Sequence, residues 1–492
     1  MTSVDSSARP LAEVVLHAEF DLIKGSTLRG SYPCSFTHYS PEFFADVMLP
    51  EGVHNRTEDC TVFFLNRHRK SHHVLVAPDA ATSYATATSD ATATLDATAT
   101  SDATATTPNA KPTESTQVED DQDPLKSFMY CLSVVRTTYD TAALRGAKVT
   151  AVALCSTYKS CVALKDVLNT AVLRMVATTS ETESEQVLRE LYDVVNAVDI
   201  SGISKLSSLE RRLSQGRSIC PSGRAADGRN EAKALAEARV FQTQARWDDM
   251  LMPIQFHVGN TDDQHTDGTL TLLLQTFGDQ TMVLFNAVLT GQRVVMLGYN
   301  RPAGEVCNFV LAMSSLVCPP LFGLVHRQYP YANLTDLGFL GTPGFIAGVT
   351  NPMFKTKREW WDVLCDISTG EVFVSASVEK EEYDVVDRNF VLEVLDGIAA
   401  GYGEEWVRGM FEEYMHKNVV DIAVGEANYL SRDALAKCSA VNNKRITKWA
   451  RTDSYRLFMD SRQSLHSHSP AFNISNPHTC ACYHSKWISV CM

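Results

Sequence analysis

Few side chains in this sequence stand at spacings that chemistry requires. The densest set of potential metal ligands is Cys480, Cys482 and His484, with His466, His468 and His478 just upstream. A zinc site closes a tetrahedron by pairing ligands across two defined turns. Here C-x-C-x-H lacks a second half, and its surroundings show no apolar periodicity, so no metal site is expected. The other candidate is GYNRPAGEV, Gly298 to Val306, where Asn300 and Arg301 precede a helix. The free amides of a helix start can hold an anion. A strand-to-helix connection with a capping Asn explains the same residues, and spacing leaves both readings open.

Other chemistries lack their residues. A P-loop needs Gly-Lys ahead of Ser or Thr to hold phosphates, and the chain has no Gly-Lys pair. H-E-x-x-H, the G-x-S-x-G elbow, G-x-G-x-x-G after a strand and the kinase H-R-D are missing too. No catalytic residue and no cofactor is expected. The 492 residues carry 44 Lys and Arg against 58 Asp and Glu, a formal charge of −14. That balance repels phosphate backbones and argues against a nucleic-acid partner; the nearest candidate for a basic face, Asn66 to Lys70, is short. Thirteen cysteines without paired spacing fit a reducing, cytoplasmic setting. The start of the chain has no basic region leading into an apolar core, so no signal peptide is read. The N-x-S/T triplets at Asn55, Asn333 and Asn473 then carry no meaning. Val306 to Val325 is uncharged but contains Asn308, Ser314 and Ser315 and is broken at Pro319-Pro320, as expected of a buried core helix.

The elements that would position any site follow from periodicity. Val14, Leu16, Ala18, Phe20 and Leu22 alternate with Glu13, Val15, His17, Glu19 and Asp21, the pattern of a half-buried strand. STLRGSYP makes a second strand closed by Pro33, and PEFFADVMLP a helix between Pro41 and Pro50. Strands follow at Thr61 to Leu65, Phe128 to Asp140 and Lys148 to Ser156. A helix carries Leu164, Val167, Leu168, Ala171, Val172 and Met175 on one face. This α/β unit spans 1–180. Within it 85–124 is an Ala/Thr/Asp repeat with an acidic flank, read as a disordered insertion. Residues 181–250 read as a helix, with Leu188, Leu191, Tyr192 and Val195, followed by a flexible polar linker. From 251 to 460 a second α/β unit contains a helix at Thr281 to Leu289, a buried strand at Arg293 to Tyr299 and a helix at Pro302 to Val317. A strand pair from Asp366 to Ser377 turns at Thr369-Gly370, and two amphipathic helices follow. Residues 461–492 read as an irregular, disordered tail.

Two long residue strings go further than periodicity. AEFDLIKGSTLRGSYP, followed by ADVMLPEG and TVFFL, and the block from GQRVVMLGYNRPAGEVCNFVLA through YPYANLTDLGFLGTPGFIAGVTNPMFKTKREWWDVLCDISTGEV resemble the fungal Arf-interacting and polarity-axis-stabilisation family of DENN-domain proteins. The resemblance covers 12–80 and 125–460. It implies a longin-like lobe, a central antiparallel sheet with helices, joined by the linker to a DENN α/β lobe. It implies regulation of a small GTPase, Rab or Arf, in vesicle trafficking and cell polarity, by nucleotide exchange or by docking. Membrane association would be peripheral, through the GTPase, with recruitment to the cortex or to vesicles at sites of polarised growth. Asp21, Lys24, Asn300, Arg301, Asn333 and Asp336, each in or beside a turn of the two blocks, are the contact candidates. A non-catalytic scaffold for GTP-loaded Arf is the alternative. The unrelated end of the chain adds a third expectation, an inactive product of a truncated gene.

Overall fold

The computed structural model describes residues 10–21, 23–35, 39–66, 128–139, 147–203, 240–257, 268–378, 384–424, 430 and 432–467. The repeat insertion, the polar part of the linker and the Cys/His-rich end, with every residue of the metal-ligand pattern read there except His466, lie outside these residues.

Strands β1 (Val14–Asp21) and β2 (Gly25–Tyr32) form a hairpin whose turn places Gly25 at φ 78°, a left-handed conformation glycine adopts without strain. Helix α1 (Pro41–Met48) starts where the Ser40 hydroxyl accepts from the Phe43 amide at 3.2 Å, with Pro41 in its first turn. Strands β3 (Glu58–Asn66), β4 (Phe128–Tyr139) and β5 (Ala147–Ser156) complete an antiparallel sheet in the order β2-β1-β5-β4-β3. Both faces of this sheet are covered. Helices α2 (Lys165–Ala177) and α3 (Glu181–Asn196) pack on one side and α1 on the other. Strand β1 is therefore buried on both faces rather than one: Val15 joins the core under α2, while Val14, Leu16 and Ala18 join the core under α1.

A hairpin of β6 (Val240–Trp247) and β7 (Met250–His257) packs back on this first lobe, with Trp247, Met252, Ile254 and Phe256 in the core of α2 and α3. Two expected boundaries move accordingly. Helix α3 belongs to the first lobe beyond residue 180, and the division at 250/251 falls inside the hairpin. Its alternation of exposed and buried residues was hidden by the polar stretch before it.

The second lobe begins with α4 (Leu270–Phe277) and α5 (Thr281–Leu289). Its five-stranded sheet has the order β12-β11-β8-β10-β9, from β8 (Val294–Leu297), β9 (Gln328–Tyr329), β10 (Ile346–Val349), β11 (Val363–Asp366) and β12 (Glu371–Val374). β8, β9, β10 and β11 run parallel and β12 antiparallel. The strand pair thus starts at Val363, three residues before the expected Asp366. Helix α6 (Ala303–Ser314) crosses from β8, and α7 (Val385–Ala399), α8 (Glu404–Met415), α9 (Ala440–Trp449) and α10 (Asp453–Ser467) complete the lobe. Helix α10 continues to Ser467, past the expected start of the tail at 461.

The uncharged run at Val306 is explained by α6. Its Ala303, Cys307 and Leu311, four residues apart, enter the core of the first lobe, and Val306, Phe309, Val310 and Met313 enter that of the second. A helix buried on two faces keeps only a narrow polar strip, here Glu305 and the exposed Asn308. Among the described residues no helix is long and apolar enough to cross a membrane.

Candidate functional site

Of the two readings of the start of α6, the anion-binding turn and the plain strand-to-helix connection, the structure shows a connection whose free amides are taken by a carboxylate of the protein itself. Asp59 on β3, 8% exposed, accepts from the amide of Ala303 at 2.9 Å through one carboxylate oxygen. Its other oxygen accepts from the amides of Gly304 at 3.1 Å and of Cys60 at 2.8 Å. The unpaired amides and the positive end of the helix dipole are both satisfied by a carboxylate from the other lobe. Beside it the Val62 amide donates to Cys307 Sγ at 3.3 Å, so the outer edge of β3 is sealed by α6.

Around this junction the loop 50–56 reaches the carboxyl ends of the parallel strands, where open α/β sheets usually bind ligands. The Glu51 amide donates to the Tyr331 hydroxyl at 3.0 Å, and Asn351 Nδ2 donates to Glu51 Oε2 at 2.8 Å. Arg56 Nη2 donates to the carbonyl of Asn300 at 2.6 Å. The lobes are thus packed together here rather than parted by an open cleft.

What remains open lies on the other flank of α1. A groove of about 450 Å³ is bounded by Phe20 and Ser26 of the β1–β2 hairpin, Asp46 and Leu49 at the end of α1, Pro50 to His54, Ala147 and Val149 of β5, and Asn333 and Thr335 of the second lobe. Its walls are mainly apolar. Phe20 is 39% exposed, Ile23 at the hairpin turn 95% and Tyr139 63%. On the near side of α1 the aromatic rings of Tyr39, Phe43, Phe63, Phe64, Tyr329 and Phe339 line a narrow crevice that shares Asn333 with the groove.

The six residues singled out from sequence fall into three places. Asp21 and Lys24 shape the hairpin turn: Asp21 Oδ1 accepts from the amides of Ile23 and Lys24 at 2.8 and 3.0 Å, and Oδ2 from Arg29 at 2.9 Å. Those amide bonds, with Arg29, hold its carboxyl below the usual range. Asn300 has φ 58° and Arg301 pairs with Glu305 at 3.5 Å; both sit at the carboxyl end of β8 and neither lines the groove. Asn333 lies in the groove wall, its oxygen accepting from Thr335 and the Asp336 amide and its Nδ2 donating to the Asp46 carbonyl at 3.2 Å. Asp336 lines the aromatic crevice and accepts from the Gly338 amide at 2.9 Å.

Sequence reading missed Phe20, Asp46, Glu51 and Asp59. Phe20 offered a signal, because the apolar alternation of β1 outruns the core, which ends at Ala18. On the opposite face of the same hairpin Glu19 is held down to about 2 by the His17 imidazole, 3.6 Å away, and by Lys148 at 3.1 Å, against burial, which pushes it up.

The fold and groove define a mixed α/β protein of two lobes joined by the β3–α6 contact and by the bonds of the loop 50–56. Residues 14–143 match the family described as the docking domain of Afi1 for Arf3 in vesicle trafficking, and residues 268–376 match that described as stabilization of polarity axis. In these two stretches the chain is similar to the Arf-interacting, polarity-axis-stabilisation proteins. An AFI1-like protein of Schizosaccharomyces pombe is 23% identical over 76% of this chain and 61% of its own length. ARF3-interacting protein 1 of Saccharomyces cerevisiae is 20% identical over 77% of this chain and 51% of its own. DENN domain-containing protein 10 of Dictyostelium discoideum is 27% identical over 23% of this chain and 30% of its own. The chain spans about half to three fifths of the length of the first and second of these relatives.

Proposed function

We propose that this protein docks an Arf-type small GTPase in the groove between the β1–β2 hairpin and α1, as part of vesicle trafficking and polarised growth. The observation that carries this reading is positional. The groove is built mainly from residues inside 14–143, the stretch similar to a domain described as docking Arf3. Phe20 in the groove wall, with the exposed Ile23 at the turn of the same hairpin and Tyr139, whose hydroxyl donates to the His54 carbonyl, offers apolar side chains that a partner could cover, which is how interface cores are made. Binding of Arf3 loaded with a GTP analogue, measured by calorimetry on the full chain, tests it. Phe20→Ala with Ile23→Ser should weaken binding at least about tenfold, since exposed apolar anchors of this size each contribute about 1–2 kcal/mol when buried. Unchanged affinity would remove the groove from the site.

A second reading is nucleotide exchange, on an Arf or on a Rab. It is favoured by the partial likeness to DENN domain-containing proteins and by the junction of an antiparallel-sheet lobe with a mainly parallel one, which would correspond to longin and DENN lobes. An exchange factor acts by holding the switch segments in a form that releases nucleotide, and it needs no side-chain nucleophile. Release of labelled GDP across an Arf and Rab panel separates the readings, because docking alone leaves the rate unchanged. In either case the protein would work in the cytoplasm and reach the cortex or vesicles through its GTPase.

A further inference from the structure

One residue of the groove is placed against local physics. Asp46 lies in the last turn of α1, a turn without a basic residue, where the helix dipole disfavours a negative charge. Asp46 is a half-buried residue of this mainly apolar groove, and among the described residues its carboxylate has no hydrogen-bond or ion-pair partner. Only its backbone carbonyl is engaged, by Asn333. The neighbouring acid, Glu51, differs: Asn351 holds it. A half-buried charge without a partner is a standing cost that a cation arriving from outside would remove.

We infer that Asp46 selects the docked partner by taking a lysine or arginine that flanks an apolar side chain entering the groove. This deepens the docking reading and rests on it. Charge complementarity names the occupant as a protein surface in which an apolar anchor and a cation are adjacent. An anionic lipid headgroup is the wrong sign for Asp46 and Glu51.

The test is the full chain as wild type and as Asp46→Asn, with Asp453→Asn, at an exposed site on α10, as a control of equal net charge. Three quantities are measured: melting temperature, affinity for GTP-analogue-loaded Arf3 at low and high salt, and sedimentation. The inference expects Asp46→Asn to melt at the wild-type temperature or higher. It also expects this variant to bind Arf3 about tenfold or more weakly at low salt, and to lose most of the salt dependence that the control retains. Asp46→Lys should abolish binding. A clear fall in melting temperature for Asp46→Asn would make Asp46 structural and overturn the inference. Equal affinity for wild type and Asp46→Asn would overturn it while docking stands. Absence of wild-type binding to any Arf GTPase would overturn docking and the inference together. Self-association of wild type that Asp46→Asn abolishes would assign the groove to a second copy of this chain, and would also overturn it.

Discussion

Replacing Asp59 by alanine tests how the two lobes are held. The carboxylate is buried and takes the first two amides of α6 at 2.9 and 3.1 Å, so the substitution deletes two bonds between lobes and strands two amides at a helix start. A hydrogen bond to a charged group contributes about 1.5–3 kcal/mol, and loss of a helix cap costs about 1 kcal/mol. These overlap, because the cap and the two bonds are the same contact. Access of water to the freed amides offsets part of the loss. A destabilisation of about 3 kcal/mol is expected, a large share of the ~5–15 kcal/mol that holds a folded domain. Asp59→Asn should recover less than half, since its amide group turns a donor toward one of the two donors it must satisfy. Urea unfolding followed by tryptophan fluorescence gives the magnitude, and hydrogen exchange at the amides of Ala303 and Gly304 gives the location. A loss below about 1 kcal/mol, with no faster exchange at those two amides, would refute the view that this contact joins the lobes.

Three further outcomes are expected from the same structure. Gly304→Ala would place a Cβ 2.4 Å from Cys60 Sγ and should cost about 1–3 kcal/mol by forcing β3 away; a second change, Cys60→Ala, should restore part of it in urea unfolding. Glu19 is lowered in the folded state from its ordinary 4.5 to about 2, so its stabilising share is present above pH 4.5 and disappears as pH falls toward 2. Wild type should lose more stability than Glu19→Gln over that window, and parallel acid titrations of the two proteins would show the argument wrong. Arg445, 1% exposed, pairs with Asp387 and donates to the Tyr414 hydroxyl at 2.9 Å, tying α9 to α7 and α8. Asp387→Ala should cost about 3–5 kcal/mol by leaving the guanidinium buried and unpaired, whereas Asp387→Leu with Arg445→Met should cost much less; equal losses would count against a charge-driven penalty.

Most regular elements were legible because their burial is one-sided or their ends are marked. Ser40-Pro41 and Pro50 bracket α1, and β4 and β5, buried on both faces, stand out as short runs rich in apolar and β-branched residues. Helix α2 was visible for the same reason, since Val167, Leu168, Ala171, Val172 and Met175 face one sheet. The likeness of the residue strings to an Arf-interacting family was also legible, because long runs of particular side chains carry more information than periodicity. Where an element is buried on two sides, periodicity loses its meaning: β1 read as half-buried, and α6 read as an uncharged run of undetermined surroundings. The ligand of the α6 amides could not be read at all. Asp59 and Ala303 are 244 residues apart, and nothing local distinguishes a carboxylate that caps a distant helix from one that faces water. The groove is of the same kind. Phe20, Asp46, Ala147 and Asn333 become neighbours only once the sheet is closed and the second lobe is docked on it. Local sequence therefore determined which segments are strands and helices, through short-range sterics and the sidedness of burial. Which charges meet, and which stay unpaired, was decided by long-range packing, because an electrostatic partner is set by distance in space and not by separation along the chain.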